Sequence, residues 1–154
     1  MQIRDAERKD IPEMLRLLEQ VNKIHHEIRP DLFNLATKYS EDELAELLAR
    51  PDYHIYVAEE EGTFLGYIFC ILEQIRGNPL RTEIRTLYID DLCVDEASRG
   101  HHAGHALYEY AKAQAKAMGC YNVTLHVWEG NDAALGFYRN CGLKNQFTCL
   151  EEIL

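Results

Sequence analysis

A chain of 154 residues is one domain's worth of sequence, and its 47% hydrophobic and 27% charged residues exclude disordered, collagenous and low-complexity classes. Sixteen basic against 26 acidic side chains leave a net charge of −10, which repels a nucleic-acid polyanion and mildly favours cationic small partners. No apolar run approaches the roughly 18 residues of a membrane span, so neither nucleic acid nor membrane is an expected partner. The first ten residues, MQIRDAERKD, lack the apolar stretch of a secretory signal. Cys70, Cys93, Cys120, Cys141 and Cys149 are scattered without a C-x-x-C pair, which suits a reduced chain; the expected location is cytoplasmic.

In chain order, residues 2–5 read as a short extended segment. Asp10, three residues before Glu13, has capping-box spacing and predicts a helix over Ile11, Met14, Leu15, Leu18 and Val21. That helix must end before Arg29-Pro30, because the residue preceding a proline avoids the α region. Ser40 and Glu43 repeat the signal ahead of Leu44, Leu47 and Leu48, a second helix closed by Pro51. Residues 53–59 and 63–74 are β-rich and meet at Glu61-Gly62, a hairpin signal. Gly77-Asn78-Pro79 breaks the chain, and a further strand is expected over 84–94, followed by a loop at 95–100.

Residues 102–118 read as a helix, with Ala106, Leu107, Tyr110, Ala111, Ala117 and Met118 near one stripe and Gly119 as the stop. Residues 121–127 form the next strand, and 132–140 a short helix capped by Asn131. Residues 143–154 are extended, alternating only weakly. The order β-α-α-β-β-β-α-β-α-β, without linker or repeat, gives a single domain over 1–154. Its expected class is mixed α/β: a largely antiparallel sheet flanked by helices, with one central βαβ crossover.

The most informative stretch lies inside that crossover. A strand runs into a loop holding Arg99, Gly100 and Gly104, and the loop opens directly into a helix. Loop and first-turn amides aimed at one point bind phosphate, and the helix dipole adds to the attraction. A Walker-type P-loop is excluded because no G-x-x-x-x-G-K-[ST] string occurs. Two patterns follow one another here. Arg99 and Gly104 fill R/Q-x-x-G-x-G/A, with His102 where the pattern has its first glycine. Leu125, Val127, Asn131, Ala134, Phe137, Tyr138, Gly142 and Leu143 fill L-x-V-x-x-x-N-x-x-A-x-x-F-Y-x-x-x-G-F/L without a gap. Together they resemble the GNAT (Gcn5-related N-acetyltransferase) superfamily, closely over 84–145 and loosely over the whole chain.

That resemblance implies acetyl transfer from acetyl-CoA to an amine, with no metal. Phosphate would rest on the loop formed by Arg99, Gly100, His101, His102, Ala103, Gly104 and His105. The pantetheine arm would lie along Leu92, Cys93 and Val94 like an added strand. Asn131 and Ala134 would border the arm from the other side, and Tyr138 would stand by the sulfur, where a phenol can serve the leaving thiolate. Histidine in place of glycine at 102 must tolerate the left-handed backbone region, which it does more readily than most residues.

An alkylamine with a pKa of ~10 is mostly ammonium at neutral pH, so a proton acceptor is needed. His126 alternates with core-facing neighbours, so its ring should face the opposite side; an imidazole near ~6.5 suits a base. Asp90 and Asp91 are the rivals that the family resemblance offers. Adjacent strand residues face opposite ways, so at most one of the two should reach the cleft. A water chain is the fourth route. His101 and His105 stand at i, i+4 but lack a third metal ligand, and Cys93 lacks a nearby base. Trp128 either lines the acceptor cleft or packs. The segment from His25-His26 to Phe33 joins the two early helices, where the family shapes its acceptor site. A strand at 147–154 would offer a homodimer joint. The rival functions are a non-catalytic acyl-CoA sensor or interaction module on the same fold and a nucleotide-binding protein.

Overall fold

Strands β1 (Gln2–Asp5), β2 (Tyr53–Glu60), β3 (Thr63–Gln74), β4 (Arg85–Val94) and β5 (Asn122–Leu125) lie side by side in chain order. The first three pairings are antiparallel and the β4–β5 pairing is parallel. This computed structural model describes residues 1–154 except Arg99 and His101. Helices α1 (Ile11–Ile28) and α2 (Glu41–Ala49) cover one face, burying Met14, Leu17 and Leu44 against Val57, Tyr67 and Phe69. On the other face α3 (Ala103–Ala117) buries Leu107 and Ala111 against Tyr56, Ile68 and Leu87. Helix α4 (Asp132–Asn140) lays Phe137 against that second core.

Local chemistry accounts for most boundaries. Glu61 and Gly62 both take positive φ, 51° and 79°, the conformation that a tight hairpin demands between β2 and β3. Ser40 accepts the Glu43 amide at 3.2 Å and Glu43 accepts the Ser40 amide at 2.7 Å, so the expected capping box of α2 forms. Because β4 and β5 are parallel, they need a long crossover, and α3 supplies it.

Four expectations change. Asp10 does not cap α1, because its carboxylate is taken by Arg4 at 2.8 and 2.9 Å and by the Glu7 amide at 2.8 Å. The inward stripe of α3 is Ala103, Leu107, Tyr108, Ala111 and Ala115; Ala117 is exposed at the helix end. Strand β5 stops at Leu125, two residues early. Finally, 143–154 forms no strand, leaving Phe147, Leu150, Ile153 and Leu154 exposed. A four-residue β5 offers little ladder for a weakly alternating tail, so the crossover β4-α3-β5 ends at the sheet edge and no terminal strand stands ready to join a dimer.

Arg4 also bonds Glu59 at 2.6 Å, so one guanidinium ties β1 and β2 to the start of α1. Burial pushes the Asp10 carboxyl up, but Arg4 and the Glu7 amide outweigh it and hold it below its usual value. Asp10→Asn should therefore cost about 2–3 kcal/mol in urea unfolding at neutral pH. A folded-state value below the unfolded one stabilises fully at neutral pH and fades as pH falls through it. The gap between the two proteins should shrink below about pH 4.

Candidate active site

The site begins where one strand outlasts its neighbour. β5 pairs with β4 only from Thr86 to Ile89, whereas β4 runs on to Val94. Beyond Ile89 the ladder on that edge ends and the sheet opens. Leu92, Cys93 and Val94 remain paired with β3 through Ile68, Tyr67 and Gly66. Their other edge borders the opening, where an extended ligand could add as a strand. The Cys93 thiol is buried on the α1 side, 3.8 Å from the Leu17 carbonyl, so it belongs to packing. Gly66 fixes this edge in place: a Cβ there would stand 2.4 Å from the Cys93 carbonyl oxygen.

At the end of β4 the chain turns into α3. Gly100 has φ 92°, and His102 occupies the left-handed region at φ 58°, ψ 16°, the conformation expected of the glycine-type position it fills. The first bond inside the helix is Ala106 N–H to the His102 carbonyl at 3.0 Å. The amides of Ala103, Gly104 and His105 precede it and form the donor end of the helix dipole. Beside them lies a pocket of about 390 Å³ lined by Val94, Gly100, His102, Gly104, His105 and Phe137, among others. A Cβ on Gly104 would already touch Val94 at 3.4 Å and the Phe137 ring at 3.5 Å. His105 lies 3.8 Å from Cys141 Sγ, and no cluster of three metal-ligating side chains occurs among the described residues. Arg99 and His101, both expected on this loop, lie outside the described residues.

Opposite the loop, both aspartates reach one neighbourhood. Strict alternation should have separated them, but β4 carries a bulge: Phe69 pairs with Asp91 and Cys70 with Ile89, leaving Asp90 as the extra residue. Asp91 accepts the Tyr67 hydroxyl at 2.8 Å on the α1 face. Asp90 accepts Lys38 Nζ at 2.7 Å and the Tyr39 hydroxyl at 3.1 Å, both from the segment between α1 and α2. Burial pushes the Asp91 carboxyl up to about 6, even though Tyr67 and the Lys38 charge pull the other way. Burial, then the charge of Asp91, pushes the Tyr138 phenol upward, so the hydroxyl stays protonated. Tyr138 thus reaches from α4 into the electrostatic range of Asp91.

The remaining candidates lie between the end of β5 and the start of α4. His126 is exposed just past β5, with Nδ1 3.3 Å from the Tyr88 hydroxyl and its ring edge-on to Phe147 at 5.8 Å. Asn131 accepts the Ala134 amide at 3.2 Å and so caps α4. Trp128 packs edge-on against Phe33 at 5.2 Å yet remains 40% exposed, so it both packs and fronts solvent. Sequence reasoning missed Tyr67, Tyr39, Lys38, Tyr88 and Gly66. Only the strand register would have revealed Tyr67, and no local pattern marks the others.

The sequence matches the Acetyltransferase (GNAT) family over residues 21–143. The chain belongs to the GNAT acetyltransferase family. It is 36% identical over 101 residues to the glucosamine 6-phosphate N-acetyltransferase of Arabidopsis thaliana, an alignment covering 66% of each chain. A mutant of the BH1408 protein from Bacillus halodurans is 29% identical and superposes with a TM-score of 0.96 over 100% of this chain and 99% of that one. The crystal structure of the Arabidopsis enzyme follows at 25% identity and a TM-score of 0.72, covering 99% of this chain and 97% of that one. The mixed, mostly antiparallel open sheet flanked by helices is thus the GNAT architecture. No helix among the described residues is long and apolar enough to cross a membrane.

Within this GNAT sheet, Gly66→Ala should lower stability by about 1–3 kcal/mol in denaturant unfolding, because the new methyl meets rigid backbone rather than a yielding side chain.

Proposed function

We propose that this chain transfers an acetyl group from acetyl-CoA to a primary amine by direct attack. The observation that carries the reading is the opening of β4 from β5 beyond Ile89, on a strand that also carries Asp91, pushed up to about 6, whose charge acts on the protonated Tyr138 phenol. The surroundings fit the donor. The β4 edge at Leu92, Cys93 and Val94 suits an extended amide-bearing arm, and the amides of Ala103, Gly104 and His105 suit a pyrophosphate. Gly100 and His102 hold the loop's positive φ values, and Arg99 and His101 would add to the same loop. Asn131 and Ala134 hold the start of α4 and so place Tyr138. Bound acetyl-CoA supplies an acetyl group activated as a thioester.

Each side chain then has a role that its surroundings favour. Asp90, with Tyr39 beside it, holds a cationic amine. Asp91 takes the amine's proton, since a base near 6 is ionised at neutral pH but less reluctant to protonate than an exposed carboxylate. Tyr138 donates to the departing sulfur, and burial keeps its proton in place. His126 and Asp90 are the rival bases in the same test. The related enzyme's name places glucosamine 6-phosphate first in a panel of acceptors, with polyamines, aminoglycosides, amino acids and peptide amines beside it.

Thiol release from acetyl-CoA over that panel tests the reading. Tyr138→Phe keeps the ring, so kcat should fall by ~10²–10⁴ with acetyl-CoA affinity nearly unchanged. Activity should rise with pH through about 6 as Asp91 ionises, and Asp91→Asn should remove that limb. A limb that survives in Asp91→Asn and vanishes in His126→Gln moves the base to His126. Normal turnover by Tyr138→Phe would undo the direct-attack scheme, and acetyl-CoA binding with no thiol release on any amine would make the chain a sensor.

The loop has its own measurement. Gly104→Val adds two methyl groups beyond a Cβ that already meets Val94 and Phe137. The calorimetric Kd for acetyl-CoA should rise at least about tenfold, and an unchanged Kd would remove the pocket beside α3 from the donor site.

A further inference from the structure

Lys38 is the primary amine that the fold already holds at the proposed acceptor position. Its Nζ stands 2.7 Å from Asp90 Oδ2, the carboxylate that also receives the Tyr39 hydroxyl at 3.1 Å. Its charge acts on Asp91 and on the His25 ring as well, so the ammonium lies among the groups proposed to hold and deprotonate a substrate amine. The arm is unbranched and flexible, springs from an irregular segment between α1 and α2, and its side chain is 41% exposed. A surface ion pair of this kind stabilises by no more than about 1 kcal/mol, so leaving Asp90 costs the lysine little.

We propose that Lys38 is a self-acetylation site, modified by the enzyme's own acetyl transfer. The inference rests on the proposed function and deepens it by naming an internal acceptor. The Lys38 nitrogen attacks the thioester carbon, a C–N bond forms and the C–S bond breaks. Of the two protons the ammonium sheds, one leaves through Asp91 to solvent and one ends on the CoA sulfur by way of Tyr138. The product is an uncharged amide, so the ion pair to Asp90 is lost and the segment between α1 and α2 keeps only the Tyr39 hydroxyl of its two bonds to Asp90.

The test is intact-mass and peptide analysis of the purified protein after incubation with acetyl-CoA and no added amine. Proximity should make Lys38 acquire its acetyl group at least about tenfold faster than Lys9, Lys23, Lys112, Lys116 or Lys144. The preference should disappear in urea-denatured protein, and Asp91→Asn should slow labelling of Lys38 alone. Lys38→Arg should keep the ion pair, as read from an unchanged melting temperature, and abolish the fast mark. Equal labelling of all six lysines, or a Lys38 rate untouched by denaturation or by Asp91→Asn, would overturn the inference. An unmarked Lys38 in protein that does release thiol on the amine panel overturns self-acetylation and leaves the proposed function standing. An unmarked Lys38 with no thiol release on any amine overturns both.

Discussion

The structure depends on a mismatch of strand lengths. β4 is ten residues long and β5 four, and their shared ladder stops at Ile89. Backbone amides and carbonyls are obligatory hydrogen-bonding groups, so a strand edge left beside an opening favours whatever extended group can pair with it. The other edge of β4 pairs with β3 along its length except at the Asp90 bulge, drawn close by a glycine that leaves no room for a methyl. The open edge is therefore rigid. An open edge that leads into a helix N-terminus aligns a strand edge with the donor end of a helix dipole, and the same loop that ends the strand begins the helix.

The bulge at Asp90 is the second device, and it acts on charge. A regular strand would send one of two adjacent carboxylates to each face. One extra residue puts Asp90 on Lys38 and Tyr39, just before α2, and Asp91 on Tyr67, which packs in the core that α1 and α2 cover. The two then differ in chemistry. Asp90 keeps a cation and a phenol as partners, whereas Asp91 is half-buried and is held by the Tyr67 hydroxyl and the Leu92 backbone amide. Burial raises the Asp91 carboxyl, and Asp90 is available to hold positive charge.

Much of this was legible in the sequence, and the limits have physical causes. The two motif stretches placed the loop, the cap at Asn131 and the tyrosine on α4, because each needs a residue type at a fixed local spacing. His102 in left-handed geometry was legible for the same reason. The bulge was not, since it is a property of the pairing of β3 with β4 and leaves no mark on either strand alone. Tyr67, Tyr39 and Lys38 were missed because their roles arise from contacts across 24, 51 and 52 residues of chain. Asp10 misled because its capping spacing is real, yet a guanidinium from β1 competes for the same carboxylate and wins.

Four phenols feel the charge of Asp90 or Asp91, and burial acts on all four. Tyr39, Tyr67, Tyr88 and Tyr138 are all pushed upward, first by burial and next by Asp90 or Asp91. Each phenol therefore remains a donor at neutral pH and none can serve as a base. In the proposed transfer, proton acceptance falls to a carboxylate or to His126, and burial pushes the Asp91 carboxyl up to about 6. The burial that fixes the phenols as donors is the same burial that raises Asp91. In the proposed transfer, acid and base are thus separated by one common cause, the burial that acts on both Tyr138 and Asp91.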